Sequence, residues 1–123
     1  MKSRKSQSPQ GAQSAVRAIR LLKLFTLERP TMPLAELSVL SGLNKTTTYR
    51  LLQALTGEAM LERDGATGDY RLGPTVTALG MQALSSDRLR IDARPMLKRL
   101  AAETGETATL EIAVEDTMLI LDE

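Results

Sequence analysis

The chain has 123 residues and a formal net charge of +1, with no cysteine, histidine or tryptophan. That composition removes disulfides, thiol nucleophiles, Ser-His and Cys-His catalytic pairs and nearly all zinc sites, and the length allows one modest core plus part of a second unit. Leucine and alanine dominate, and the aromatics are limited to Phe25, Tyr49 and Tyr70, which favours a helix-rich domain over an all-β one.

Residues 1–13 mix Ser, Gln, Lys, Arg and Gly without an apolar period, so a disordered basic tail is expected. The start, MKSRKSQSPQ, lacks the apolar core of a signal peptide, and Lys23 interrupts the run around Leu21 to Phe25. A reduced, cytoplasmic protein without a membrane-spanning segment follows. Ser14 is the expected N-cap of a first helix in which Ala15, Ala18, Ile19, Leu22 and Phe25 recur at helical spacing. Arg17, Arg20 and Lys23 lie along its other side, and Pro30 is the expected stop.

A second helix is expected over Pro33 to Ser41, with Leu34, Leu37 and Leu40 spaced by three and Gly42 closing it. Asn44 then caps a third helix after only a few residues, the mark of a helix-turn-helix. After Gly57, the strand-like runs around Leu61 and Tyr70 flank Gly65-Ala66-Thr67-Gly68, a hairpin pattern that makes a wing. Pro74 opens a connecting helix to about Ser86 with Val76, Leu79, Ala83 and Leu84 on its apolar side. Arg88 to Thr104 continues as helix, with Pro95 expected to kink it or start a new turn and Gly105 ending it. Two β-prone runs separated by Glu115-Asp116 complete the chain and give only a thin core.

The small net charge conceals a separation. Up to Gly57, nine Lys and Arg residues face only Glu28 and Glu36, whereas beyond it seven basic residues face thirteen acidic ones. Clustered cations release counterions when they meet phosphates, so a polyanion partner suits the first half, with a solvated basic face as the plain alternative.

On a helical wheel, Thr48, Leu51, Leu52 and Leu55 fall at i, i+3, i+4 and i+7 and form a core face. Thr46, Arg50 and Gln53 gather opposite, with Thr47 and Tyr49 on the flanks and Lys45 in the first turn. Arginine can pair with guanine and glutamine with adenine in the major groove, while threonine offers a hydroxyl and a methyl. On the hairpin, Arg63 and Arg71 could meet phosphates or the minor groove, or serve as ordinary surface charges beside Glu62, Asp64 and Asp69.

The stretches SAVRAIRLLKLF, LAELSVLSGLNKTTTYRLLQAL, LERDGATGDYRLGP, TALG and TGETATLEIAVED together resemble the N-terminal region of the IclR family of bacterial transcription regulators. The likeness runs from about residue 14 to residue 122, and the pairing of GLNKTTTYRLLQAL with YRLGP is its most specific part. It implies a mainly α fold with a small β-hairpin wing: a winged helix-turn-helix over 14–73, a connecting helix over 74–87 and a partial α/β effector-binding domain over 88–123. It also implies double-stranded operator DNA as partner, a homo-dimer or dimer of dimers, and a small organic-acid effector only where the rest of the C-terminal domain is present. The family's third helix reads the major groove, which assigns Lys45, Thr46, Thr47, Tyr49, Arg50 and Gln53 to DNA and Thr48 to packing. Family members usually carry a glycine and an aromatic between recognition helix and wing, whereas this chain has Ala59 and Met60, with Gly57 two residues earlier.

Sequence-specific DNA binding by a repressor-type transcription regulator, without enzymatic chemistry, cofactor or metal, is the expected function. A winged-helix protein-interaction module with an incidental basic half is the alternative. The carboxylates Glu111, Glu115, Asp116, Asp122 and Glu123 are expected at solvated strand and turn positions rather than in a metal or acid-base cluster.

Overall fold

The computed structural model describes residues 10–114 and 117–123; residues 1–9 of the expected tail, and Glu115 and Asp116, lie outside the described residues. The chain divides into two compact units, the first ending at Thr77 and the second beginning at Ala78.

Helix α1 spans Gln10–Leu22. It starts before Ser14, which is therefore no cap, because Ala12 and Gln13 continue the helix without a breaker. It also stops well ahead of Pro30. After Lys23 donates to the Ile19 carbonyl, the chain tightens through i→i+3 bonds from Leu24 to Leu21 and from Phe25 to Leu22, which turn Phe25 into the core. Leu21 and Phe25 are buried, with Ala18 and Leu22 half-buried against the same core, while Ile19 remains 55% exposed, so the apolar face is rotated from the expected one.

Strand β1, Thr31–Met32, was not expected: it is two residues long and lies between Pro30 and Pro33. Tertiary pairing creates it, since Thr31 and Met32 align antiparallel with Arg71 and Tyr70 and Met32 is fully buried. Helix α2 covers Leu34–Ser41, with Pro33 at the extended N-cap position. Leu37 and Ser38 face the core, whereas Leu40, which follows Leu37 by three residues, is 45% exposed. Gly42 ends the helix in the left-handed region at φ 74°, its N–H donating to the Ser38 and Val39 carbonyls.

Helix α3, Lys45–Gly57, leads into the wing made of β2, Leu61–Arg63, and β3, Tyr70–Leu72. The sheet order is β1-β3-β2, with Leu61 opposite Leu72, Glu62 opposite Arg71 and Arg63 opposite Tyr70. The core of this unit is Leu21, Phe25, Met32, Leu37, Leu52, Leu55, Leu61 and Tyr70, drawn from α1, its following turn, β1, α2, α3 and both wing strands. Each such side chain contributes about 1.5–3 kcal/mol on burial.

The exit of α3 resolves the departure at Gly57 and Ala59. Gly57 is still helical, and the left-handed residue is Ala59, at φ 57°. Ala59 N–H donates to the Thr56 carbonyl at 3.0 Å and Met60 N–H to the Leu55 carbonyl at 2.9 Å, the paired closure of a Schellman motif with alanine where glycine is usual.

Helix α4, Pro74–Ser86, contains the boundary between the units and has no buried residue; Leu79 and Met81 are exposed. In the second unit, α5 spans Arg88–Thr104, capped by Asp87, which accepts from Arg90 N–H at 2.9 Å. Pro95 sits inside this helix and does not divide it. Strands β4, Leu110–Val114, and β5, Thr117–Asp122, pair antiparallel. Asp122 corrects the expectation of a solvated position: its side chain is 6% exposed, ion-paired with Arg94 and 3.8 Å from Arg90 Nε. Among the described residues, every buried hydrophobic side chain belongs to the first unit.

Candidate nucleic-acid interface

The third helix is fixed at its start by short-range polar contacts. Asn44 Oδ1 accepts from Thr47 N–H at 2.8 Å, satisfying one of the orphan donors of the first turn. Ser38, buried on α2, donates its hydroxyl to the Leu43 carbonyl at 2.6 Å and so ties the turn back to the preceding helix. Thr48 is fully buried, and its hydroxyl is satisfied by the Asn44 carbonyl at 2.8 Å. A buried hydroxyl without such a partner would cost about 1–3 kcal/mol.

With Thr48, Leu52 and Leu55 inward, the same helix turns Lys45, Thr46, Tyr49, Arg50 and Gln53 to solvent, and Thr47 lies half-buried between the two faces. The partition read on the wheel is thus the partition of burial. Gln53 Nε2 donates to Tyr49 Oη at 2.6 Å, so these two side chains hold one another across a helical turn. Each keeps a polar function unused by that bond: the Tyr49 hydroxyl proton and the Gln53 carbonyl.

The wing brings one of its two candidate arginines to this surface. Arg63 joins Tyr49, Gln53, Thr56 and Tyr70 in lining an open cleft of about 270 Å³ between α3 and the hairpin. Its guanidinium rests against the hairpin loop, where a Cβ added at Gly68 would lie 3.1 Å from Nη2. Thr56 and Tyr70 were not singled out from sequence; Thr56 had a readable signal, since it follows Tyr49 by seven residues and Gln53 by three.

Arg71 is not among the residues lining that cleft. Its Nε is 3.0 Å from Glu62 Oε2, the residue opposite it on β2, and its Nη1 is 4.0 Å from Asp64 Oδ2. Asp64 is in turn held by the loop: Ala66 and Thr67 N–H groups donate to its Oδ1, and with the charge of Arg71 they keep its carboxyl below the usual range.

A further basic surface was visible in the sequence only as one side of α1. Arg17, Arg20 and Lys23 line a cleft of about 320 Å³ with Leu24, Leu40, Ser41 and Leu43, the last of these directly before the cap of α3. Among the described residues there is no group of three or more His, Cys, Asp or Glu side chains that could hold a metal ion, and no helix is long and apolar enough to cross a membrane.

Comparison with known proteins bears on this geometry. Residues 14–65 match the IclR helix-turn-helix domain. Over 88 residues the chain is 40% identical to the DNA-binding transcriptional repressor YiaJ of Escherichia coli (strain K12), an alignment covering 72% of this chain and 31% of that protein. An IclR family transcriptional regulator from Brucella abortus superposes with a TM-score of 0.81 at 27% identity, over 99% of this chain and 46% of that one. An IclR transcriptional regulator from Alicyclobacillus acidocaldarius does so with a TM-score of 0.71 at 32% identity, over 88% and 44%. The chain thus spans about a third of the curated relative's length and under half of each of these solved chains. Carrying this domain in this fold, the chain belongs to the IclR family of transcription regulators.

Proposed function

We propose that this chain is the DNA-reading part of a transcription regulator that binds double-stranded operator DNA with α3 in the major groove. The observation that carries this reading is the division of α3 itself. One face is locked into the core by Thr48, Leu52 and Leu55, and the opposite face presents Lys45, Thr46, Tyr49, Arg50 and Gln53 to solvent at the capped end of a helix-turn-helix. In this reading Arg50 and Gln53 contact base edges, while Lys45, Thr47 and Tyr49 contact phosphates and Thr46 either. Arg63 supplies a phosphate contact from the wing, and Arg71 contributes little because Glu62 and Asp64 already engage it.

Assembly as a dimer or dimer of dimers fits the exposed apolar side chains of α1 and α4, among them Ile19, Leu79 and Met81. Two copies would place two α3 helices in successive major grooves. Repression, as in the relative named a repressor, and control by a small organic acid bound in a larger C-terminal domain complete the proposal. The domains proposed are 14–73 for DNA binding, 74–87 as connector and 88–123 as part of the effector domain.

The test begins with selection of duplexes from a random pool by the full chain, which should return a palindromic site. Arg50→Ala should then lower affinity for the selected duplex about tenfold to a hundredfold, the worth of a bidentate base contact, and lower random-duplex affinity far less at the same salt. Equal losses on both would move Arg50 to a phosphate role, and a flat salt dependence of duplex binding would favour a protein-binding module instead.

A further inference from the structure

We infer that Thr75 is a positioning residue for DNA reading, fastening the C-terminal end of α3 to the first turn of α4; the inference rests on the proposal that α3 reads bases. The contacts are specific and all lie within the first unit. Thr75 N–H donates to the Ala59 carbonyl at 3.0 Å, and its hydroxyl donates to the Glu58 carbonyl at 3.0 Å. Next to it, Gly73 N–H donates to the Met60 carbonyl at 2.8 Å. Gly73 is packed so tightly there that an added Cβ would lie 2.4 Å from the Ala59 carbonyl oxygen.

The start of α4 leaves N–H groups without helical partners, and the carbonyls of Ala59 and Met60, just past the cap of α3, accept two bonds there, while the Thr75 hydroxyl reaches the cap carbonyl of Glu58 itself. The positive end of one helix dipole also meets the negative end of the other. Pro74, at the first helical position of α4, has no N–H to leave unpaired, so the bonds fall to its neighbours Gly73 and Thr75.

This joint governs where the reading face of α3 points. Arg50 lies about 12 Å back along the helix from Glu58, at 1.5 Å per residue. A tilt of about 5° at the joint moves it by about an ångström, more than paired hydrogen bonds to a base edge tolerate. Contacts to phosphates, made by long side chains and read through charge, are far less sensitive. The Thr75 hydroxyl thus acts on discrimination between sequences rather than on attraction to DNA as such.

The experiment uses the full chain, a duplex recovered from a random pool by the wild-type chain, and a random-sequence duplex of equal length, at one salt concentration. Thr75→Val keeps the branched shape and the N–H but removes the hydroxyl donor. It is expected to lower affinity for the selected duplex roughly threefold to tenfold, the worth of one net hydrogen bond, with random-duplex affinity unchanged. Thr75→Ser, which restores the donor, should return the ratio to the wild-type value. An unchanged ratio in Thr75→Val, or an equal fall on both duplexes as loss of folded protein would produce, overturns the positioning role. A wild-type chain with no preference among duplexes overturns instead the reading of α3 on which the role depends.

Discussion

Ala59 occupies a conformation that suits glycine, at φ 57°, while two residues earlier Gly57 sits in the last turn of a helix where alanine would serve better. A non-glycine residue in the left-handed region costs about 1–2 kcal/mol, and part of this is offset because alanine has less freedom to lose from the unfolded chain. Ala59→Gly should therefore raise stability by about 0.5–1 kcal/mol, read as a higher urea midpoint at unchanged slope. A lowered midpoint would show that the Schellman closure does not strain Ala59. The three threonines at the start of α3 divide in the same local manner: Thr46 faces solvent, Thr47 lies half-buried, and Thr48 is spent on the core with its hydroxyl bonded to Asn44. Their low helix propensity is outweighed by the Asn44 cap and by the burial of Leu52 and Leu55.

The wing separates two arginines that sequence treats alike. Arg71 faces Glu62 across the ladder and reaches Asp64, so its charge is already compensated, whereas Arg63 has no ion pair among the described residues and lines the cleft beside Tyr49 and Gln53. Arg63→Ala should weaken binding to all duplexes by a similar factor and reduce the salt slope by about one, as expected for loss of one phosphate contact. Arg71→Ala should change the slope little; the reverse order in a salt titration of the two variants would reverse their assignments. The pairing that makes the difference depends on hairpin register, which places Glu62 opposite Arg71. Alternation alone showed a hairpin but left both arginines with the same two readings.

Across the whole molecule, charge and burial are distributed unequally. The basic residues concentrate before Gly57, in the unit that holds all the buried hydrophobic side chains among the described residues. The second unit depends more on the ionic tie of α5 to β5. The hydrogen bond from Arg94 to Asp122 holds that carboxyl below the usual range, against the effect of burial, with the charges of Arg94 and Arg90 adding to it. A carboxyl whose folded pKa lies below its unfolded value of about 3.9 stabilises above that value, and the contribution is lost as pH falls through the folded pKa. The second unit should thus lose stability below about pH 4. Asp122→Asn should abolish that part of the pH dependence, measured by hydrogen exchange of the α5 and β5 amides against pH. An unchanged acid profile in the variant would assign the effect to other carboxylates.

Periodicity, caps and breakers acting over a few residues determined much of this protein before any fold was known. The third helix, its Asn44 cap, the Gly42 turn, the hairpin and the two faces of α3 all follow from interactions within about one helical turn or one strand pair, and such interactions are written in adjacent residues. Only tertiary structure decided the rest. Thr31–Met32 is a strand because β3 lies beside it, and α1 buries Leu21 rather than Ile19 because the chain turns at Lys23 to bring Phe25 inward. Asp122 is buried because α5 supplies Arg94, and Thr75 meets the end of α3 because the wing returns the chain to that point. The strand pairing, the Asp122 ion pair and the Thr75 bond join residues distant along the chain, and the packing that takes Leu21 and Phe25 into the core likewise involves other elements, so the energy that fixes them exists only once those residues have come together.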